Sequence, residues 1–306
     1  MSAPIRVDEY VVARAPAKIN LHLGVGAVRK DGFHELATVF CALSLTDEVI
    51  ATAAHGLSVT TSGEGAGEVP DDERNLAWRA AAALAERAGV PADVELSINK
   101  QIPVAAGLAG GSADAAATLI ACDALWQTGA VKSDLIEIAA ELGSDVAFAL
   151  TGGLALGTGR GELLSPVLAA GKWHWVLAVA RGGLSTAEVY AELDRLREGQ
   201  DEVELLTPDR LMNALRARDL DLLGQNLHND MEPAAYSLMP ELRRTRRAGL
   251  QEGAVAAVMC GSGPTFAFLT EDEQAAIDLA AAISALDVSR TVRTATGPVT
   301  GARIVA

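Results

Sequence analysis

The sixteen residues 101–116, QIPVAAGLAGGSADAA, join a predicted strand to an alanine-rich segment through a run of small residues. The strand is expected at 93–104, and a helix is expected from Ser112 to about Gln127. Small side chains leave the backbone N–H groups of residues 107–112 uncovered, and a helix N-terminus carries roughly half a positive charge. This loop could therefore surround the phosphates of a nucleotide. A connecting turn packed against a neighbouring strand is the alternative, and the loop alone does not decide between them.

Two widespread phosphate-binding motifs are excluded. A Walker A motif needs a lysine after its last glycine, and the segment Gly107–Ala113 contains none. A dinucleotide fingerprint needs three glycines in register near the first strand, and neither this loop nor Gly24-Val25-Gly26 supplies them. A nicotinamide-dependent oxidoreductase is therefore excluded as well.

Composition indicates a folded acidic protein. The chain has 306 residues, half of them hydrophobic, and a formal net charge of −15. Its length suggests one large or two medium domains. Nucleic-acid-binding proteins usually show the opposite charge balance. We therefore expect a small-molecule substrate and no nucleic-acid partner, with any polyanion bound locally through backbone amides and a few cations.

Other classes of site are not indicated. The only tight basic cluster is Arg243–Arg247, which on a helix is most simply a solvated face. The three cysteines and five histidines are dispersed, without metal-ligand spacing. Residues 1–12 lack a signal-peptide layout, and no apolar run is long enough to span a bilayer. We expect a cytoplasmic protein with no membrane contact, either a monomer or a weak homodimer.

Strands and helices alternate irregularly, which favours an α+β fold. The amino-terminal fifty residues are predicted to be strand-rich, and the glycine-rich residues 143–162 are expected to run through the middle of the molecule. We place a domain boundary between 1–162 and 163–306. Helices are predicted at 76–88, 112–127, 133–143, 187–197, 208–218, 233–252 and 271–286.

Three motifs in chain order resemble those of the GHMP kinases. PVAAGLAGGSADAA (103–116) is similar to their phosphate-binding motif, RAPAKINLHLGV (14–25) to their amino-terminal motif and MCGSGPTFAFL (259–269) to their carboxy-terminal glycine motif. The loop departs from the usual pattern at Ala106 and Ala109, where glycine is more common. Ala109 matters only if its position requires a positive φ.

This resemblance implies a two-domain GHMP kinase fold. It comprises an N-terminal ribosomal-protein-S5-domain-2-like nucleotide domain and a C-terminal ferredoxin-like α/β domain. The resemblance also implies ATP and Mg²⁺. Asp114 would repel a phosphate unless a magnesium ion lies between them or the side chain points away. The implied ATP-binding residues are Pro103, Val104, Ala105, Ala106, Gly107, Leu108, Ala109, Gly110, Gly111, Ser112 and Ala113.

Shorter segments resemble the branch of this family that phosphorylates a cytidine-diphospho-methylerythritol at its 2-hydroxyl. These segments are PAKINL (16–21), KDGFHEL (30–36) and LGSDVAF (142–148). The resemblance implies that Lys18 and Asp145 are catalytic.

The same resemblance implies a nucleobase clamp. His34 would hydrogen-bond the cytosine, Phe33 would stack on it, and Tyr190 would cover the opposite face. Asn20 would hold the methylerythritol end. The segment GTGRGE (157–162) would lie near the diphosphate, with Arg160 as a charge partner, and a solvent-exposed turn is the alternative for this segment. A segment at 226–233 would support the site from below.

The chemistry is compatible with these assignments. Phosphoryl transfer to an alcohol passes through a loose transition state, so positioning and charge stabilisation matter most. Asp145 could accept the proton of the substrate hydroxyl, or it could only orient that hydroxyl. Lys18 would keep the Asp145 carboxylate ionised. A purely structural Lys18–Asp145 ion pair, an N-cap role for Asp145 and an ordinary half-buried His34 are the alternatives. A homoserine or mevalonate kinase and a catalytically silent regulator of the same fold also remain open.

Overall fold

A long two-stranded hairpin forms the centre of the amino-terminal half. A computed structural model describes residues 10–169, 171–200 and 203–305. The hairpin strands pair from Tyr10↔Thr52 to Val28↔His34, and two irregularities in their register flank Lys18 and Asn20. The strands of this sheet are β1 (Tyr10–Val28), β2 (His34–Ala53), β3 (Leu57–Gly63), β4 (Val94–Lys100), β5 (Leu154–Thr158), β6 (Leu163–Pro166), β8 (His228–Asn229) and β12 (Arg303–Ile304).

Helix α2 (Gly110–Trp126) is buried at the centre of this half, against β1 and β2. Its buried positions are mostly alanine, and such small side chains allow the helix axis to approach the sheet closely. Around it lie α1 (Leu76–Ala88), α3 (Lys132–Leu142) and α4 (Ser144–Thr151).

The carboxy-terminal half contains an antiparallel sheet in the order β11-β7-β10-β9. Its core includes Phe266 and Phe268, which are fully buried. The elements are β7 (Trp173–Val179), β9 (Ala256–Met259), β10 (Thr265–Thr270), β11 (Thr291–Gly297), α5 (Thr186–Leu196), α6 (Asp209–Ala217), α7 (Leu220–Gln225), α8 (Glu232–Leu238), α9 (Leu242–Gln251) and α10 (Glu273–Ala285).

Local sequence signals placed most helices correctly. Asn75 caps α1 by accepting from the amide of Ala77, and Gly89 ends it in the left-handed conformation. The predicted helix 233–252 is wrong as a single element, because it is interrupted between α8 and α9, where Pro240 lies. The glycine-rich segment 143–162 contains α4 and β5.

The predicted α+β class is confirmed. In both sheets, some neighbouring strands are not consecutive in the sequence. Strands β8 and β12 come from the second half of the sequence and pair with β1. The domain boundary at 162 stays a prediction.

Residues 1–9, which bear on the signal-peptide expectation, lie outside the described residues. Within the described chain, no helix combines the length and apolar character needed to cross a membrane.

Helix α9 packs on the second sheet through Gly249, and the contact leaves no room for a side chain. A Cβ at Gly249 would overlap the ring of Phe268. We expect Gly249→Ala to lower the free energy of unfolding by about 1–3 kcal/mol, because overpacking outweighs the gain in helix propensity. Urea denaturation measures this change. Gly183→Ala is the matched control, since its Cβ would meet nothing within 4 Å. Equal stability of the two variants would contradict this packing.

Candidate active site

A cleft of about 690 Å³ lies where the two halves of the chain meet. Its walls include Lys18 and Asn20 of β1, Asp145 of α4, Tyr190 of α5 and Ser262 of the turn between β9 and β10. The loop between β4 and α2 and the first turn of α2 supply Pro103, Val104, Ala105, Ala106, Gly107, Leu108, Ala109, Gly110, Gly111 and Ser112. Ten of the eleven predicted ATP-binding residues therefore line one cleft.

The remaining one, Ala113, does not reach the cleft wall. It is fully buried, and its amide donates to the carbonyl of Ala109 at 2.9 Å. Within the described chain, no hydrogen bond uses an N–H group of residues 104–112 as its donor. Backbone N–H groups are rarely left without an acceptor. These amides are therefore free to bind an external group of acceptors, and the dipole of the seventeen-residue helix α2 favours an anion there.

The loop backbone is left-handed at three alternate residues. The φ angles are 54° at Ala105, 74° at Gly107 and 60° at Ala109. Two alanines replace glycines of the family motif. Ala109 has a positive φ, whereas Ala106 does not. Ala105 is a second alanine of this kind, which the sequence did not indicate. An alanine in this conformation costs about 1–2 kcal/mol.

Gly107 brings the loop against the second half of the chain. A Cβ there would overlap the carbonyl oxygen of Cys260 and lie 2.9 Å from that of Gly263. Gly261, in the same turn, lies beside Lys18 and the carbonyl of Gly107. The carboxy-terminal glycine motif thus closes directly on the phosphate loop, and only glycine satisfies both the φ angle and the space at position 107.

Lys18 and Asp145 face each other across the cleft. The Lys18 ammonium lies 3.6 Å from the Asp145 carboxylate, with side chains 8% and 36% exposed. Asp145 is in the first turn of α4, but the N-cap is Gly143, which has no side chain to cap the helix. The N-cap alternative for Asp145 therefore does not apply.

Asn20 is held rigidly beside Lys18. The Lys18 ammonium donates to Asn20 Oδ1 at 2.9 Å, and Asn20 Nδ2 donates to the hydroxyl of Thr38 at 2.8 Å. Thr38 in turn donates to the carbonyl of His22. Strand alternation places Lys18 and Asn20 on one face of β1, opposite Ile19 and the hydrophobic core. Their side chains are consequently fixed in orientation.

His34 stacks on Tyr190, with ring centroids 4.8 Å apart and an interplanar angle of 18°. His34 Nε2 lies 2.8 Å from a carboxylate oxygen of Asp194, a partner that the sequence did not suggest. Tyr190 lines the cleft, where burial and the neighbouring carboxylates of Asp145 and Asp194 raise its pKa to about 12. The tyrosine hydroxyl therefore stays protonated at neutral pH.

Phe33 is not brought onto the cleft wall. Its side chain is exposed, and the guanidinium of Arg160 lies 4.8 Å from the ring centroid. Arg160 itself lines the cleft. The structure therefore places Phe33, His34, Tyr190 and Arg160 in one neighbourhood, with Arg160 on the phenyl ring.

The segment 226–233 connects β1 to the glycine motif. Asn229 donates to the carbonyls of Met259 and Gly261 at 2.8 and 2.7 Å. Asp230 accepts from the amide of Val25 at 2.7 Å. These bonds secure the turn that lies against Lys18.

Asp114 borders the cleft beside the loop but is only 1% exposed, because its carboxylate is paired with Lys100. Lys100 donates to Asp114 at 2.6 Å and also to Asp47, both buried carboxylates. Asp47 and Lys100 gave no functional signal in the sequence, because their meeting depends on strand register. Arg243, Arg246 and Arg247 line a separate surface groove with Tyr236, and the Arg243 guanidinium lies 4.8 Å from the centroid of the Tyr236 ring.

Comparison with known proteins identifies the family. The models described as GHMP kinases N terminal domain and GHMP kinases C terminal match residues 75–153 and 211–287. The 4-diphosphocytidyl-2-C-methyl-D-erythritol kinase of Nocardia farcinica is 56% identical over 98% of this chain and 97% of its own length. That of Mycolicibacterium gilvum is 55% identical over 96% and 92%.

A crystal structure of 4-(cytidine 5'-diphospho)-2C-methyl-D-erythritol kinase superposes with a TM-score of 0.78 at 32% sequence identity. It covers 94% of this chain and 99% of the compared chain. The predicted two-domain GHMP kinase fold is thereby confirmed. With relatives at this identity over almost its whole length, the chain belongs to the 4-diphosphocytidyl-2-C-methyl-D-erythritol kinase family of the GHMP kinases.

Proposed function

We propose that this protein transfers the γ-phosphoryl group of ATP to the 2-hydroxyl of 4-diphosphocytidyl-2-C-methyl-D-erythritol, in the non-mevalonate route to isoprenoid precursors. The observation that carries the proposal is the juxtaposition of free loop amides with the Lys18–Asp145 pair in one cleft. Family membership supports the substrate. The loop holds the donor phosphates, and the paired side chains meet the acceptor hydroxyl.

Donor binding relies on backbone more than on charged side chains. The amides of residues 104–112 surround the phosphates at the N-terminus of α2. Among the described residues no cluster of three or more His, Cys, Asp or Glu side chains forms a metal site. The residues present would fit a magnesium ion bound mainly by the phosphates, and the Ser112 hydroxyl at the cleft wall would help to hold it. When bound, Mg²⁺ neutralises charge on the transferring phosphate.

In the transfer step, the acceptor oxygen forms a bond to the γ-phosphorus while the bond to the β–γ bridging oxygen breaks. The hydroxyl proton passes to the Asp145 carboxylate, and ADP leaves with the bridging oxygen. The Lys18 ammonium, fixed by Asn20 at 2.9 Å and lying 3.6 Å from Asp145, stabilises negative charge on the transferred group. Because the acceptor hydroxyl is tertiary, orientation is the main requirement.

The cytidine end binds beside α5. Asp194 fixes the ring of His34 through Nε2, which leaves Nδ1 to bond the cytosine. Phe33 and Tyr190 provide aromatic surfaces for the base. Binding displaces Arg160 from the phenyl ring, and its guanidinium then pairs with the substrate diphosphate. Asn20 contacts the methylerythritol end.

Removal of the proton acceptor tests the transfer step. We expect Asp145→Asn to lower kcat by about 10²–10⁴-fold, the usual contribution of a positioned general base. A coupled assay of ADP formation with Mg²⁺ measures kcat for the cytidylated alcohol, mevalonate and homoserine. Asp134→Asn is the matched control, because Asp134 lies in the first turn of the adjacent helix α3 and does not line the cleft.

Turnover of the cytidylated alcohol alone, with loss only in Asp145→Asn, is the expected result. Turnover of mevalonate or homoserine instead would overturn the proposed substrate. No turnover despite ATP binding would favour a silent regulator of the same fold.

His34 tests the cytidine site separately. We expect His34→Ala to raise KM for the cytidylated substrate by about tenfold, the effect of losing one specific hydrogen bond and a ring contact. KM for ATP should stay unchanged, since the loop is independent of His34. Steady-state kinetics with each substrate varied in turn measures both constants. His55→Ala, an exposed histidine between β2 and β3, is the control. A parallel rise in both KM values would contradict a role in base binding.

A further inference from the structure

Three buried charges lie directly beneath the phosphate loop and are not used by the transfer step. Asp47 comes from β2, Lys100 from the end of β4 and Asp114 from α2, and their side chains are at most 2% exposed. Lys100 donates to both carboxylates. We refer to these three side chains as the charge clamp.

The charge clamp connects both ends of the loop to the central sheet. At the first end, Asp47 Oδ1 accepts from the amides of Gln101 and Ile102 at 2.6 and 2.8 Å. At the other end, Lys100 reaches Asp114 in α2 and lies beside Gly110, where a Cβ would be 3.1 Å from its ammonium. Residues 103–109 thus span two anchored points.

The anchored segment is strained. Ala105 and Ala109 have left-handed backbones that alanine normally avoids. Conformations of this kind persist only where surrounding structure over-determines them. The strained segment is also the one whose amides are unpaired and line the cleft. The bonds of Asp47 before the loop and of Lys100 to Asp114 after it restrain the loop backbone, whose own N–H groups donate no hydrogen bond within the described chain.

We propose that the charge clamp positions the phosphate loop, holding Ala105 and Ala109 in the left-handed conformation that turns the loop amides toward ATP. Its three members are positioning residues, since they act through the loop and not on the reacting atoms. Burial raises the pKa of the Asp114 carboxyl, and the neighbouring Lys100 ammonium opposes that rise. Asp114 Oδ1 has no hydrogen-bond partner among the described residues, so the clamp is not optimised for stability alone.

This proposal depends on one part of the proposed function, namely that the loop binds ATP. Removing Lys100 alone would leave two unpaired buried carboxylates and risk unfolding. The double variant Lys100→Met/Asp114→Asn leaves only Asp47 charged, and Asp47 keeps its two backbone donors. Arg14→Met/Glu48→Gln is the matched control, because it removes an exposed ion pair between β1 and β2 outside the cleft.

We expect the double variant to weaken binding of a non-hydrolysable ATP analogue by about 10–100-fold, the effect of misplacing binding groups by about 1 Å. KM for ATP should rise correspondingly, with KM for the cytidylated alcohol unchanged. Isothermal titration calorimetry and steady-state kinetics measure these quantities, with urea denaturation to verify folding.

Glycine substitution separates positioning from general stability. Adding Ala105→Gly and Ala109→Gly to the double variant should recover at least about fivefold in affinity, because glycine adopts the left-handed backbone without a Cβ penalty. A merely structural role would give no such recovery, since extra glycines raise loop entropy. Unchanged analogue affinity in the folded double variant, or no glycine recovery, overturns the clamp.

If the double variant does not fold, Asp114→Asn alone takes its place, since it leaves Lys100 paired with Asp47. We then expect a rise of about three- to tenfold in the dissociation constant, equivalent to losing one charge-assisted bond. An affinity equal to that of the wild type overturns the clamp. Failure of the wild type to bind the analogue at all contradicts the proposed function instead.

Discussion

The site depends on the close approach of two backbone turns at Gly107. The phosphate loop meets the carbonyls of Cys260 and Gly263 there, and any side chain would separate them. The same turn lies against Lys18, whose position on β1 follows from the long hairpin with β2. One contact therefore joins the glycine loop, Lys18 and the carboxy-terminal half. Without it the cleft would have only one wall.

The cleft also shows how an acidic protein can bind a polyanion. A net charge of −15 repels phosphates at long range. Unpaired amides and the N-terminus of α2 act at short range, where their fixed dipoles are oriented before the ligand arrives. The nearby carboxylates are restrained: Asp114 is turned inward to Lys100, and Asp145 faces Lys18. Local geometry thus outweighs net charge.

The substrate side is less completely organised than the donor side. Asn20 and Lys18 are fixed by consecutive hydrogen bonds within strands. Phe33, by contrast, is exposed and carries Arg160 on its ring. His34 is intermediate, stacked on Tyr190 and bonded to the exposed side chain of Asp194. Lys18 and Asn20 are therefore fixed by hydrogen bonds, whereas Phe33 and Arg160 are held by a contact at the protein surface.

The sequence by itself determined the local features: the cap at Asn75, the end of α1 at Gly89, the helix after the glycine loop and the motifs around Lys18 and Asp145. These depend on neighbouring residues, so a short window contains their cause. Only the tertiary structure decided that Ala105 and Ala109 are left-handed, that Asp194 holds His34, and that Asp47, Lys100 and Asp114 meet beneath the loop. Those outcomes depend on strand register and helix packing between distant segments, which no local pattern specifies.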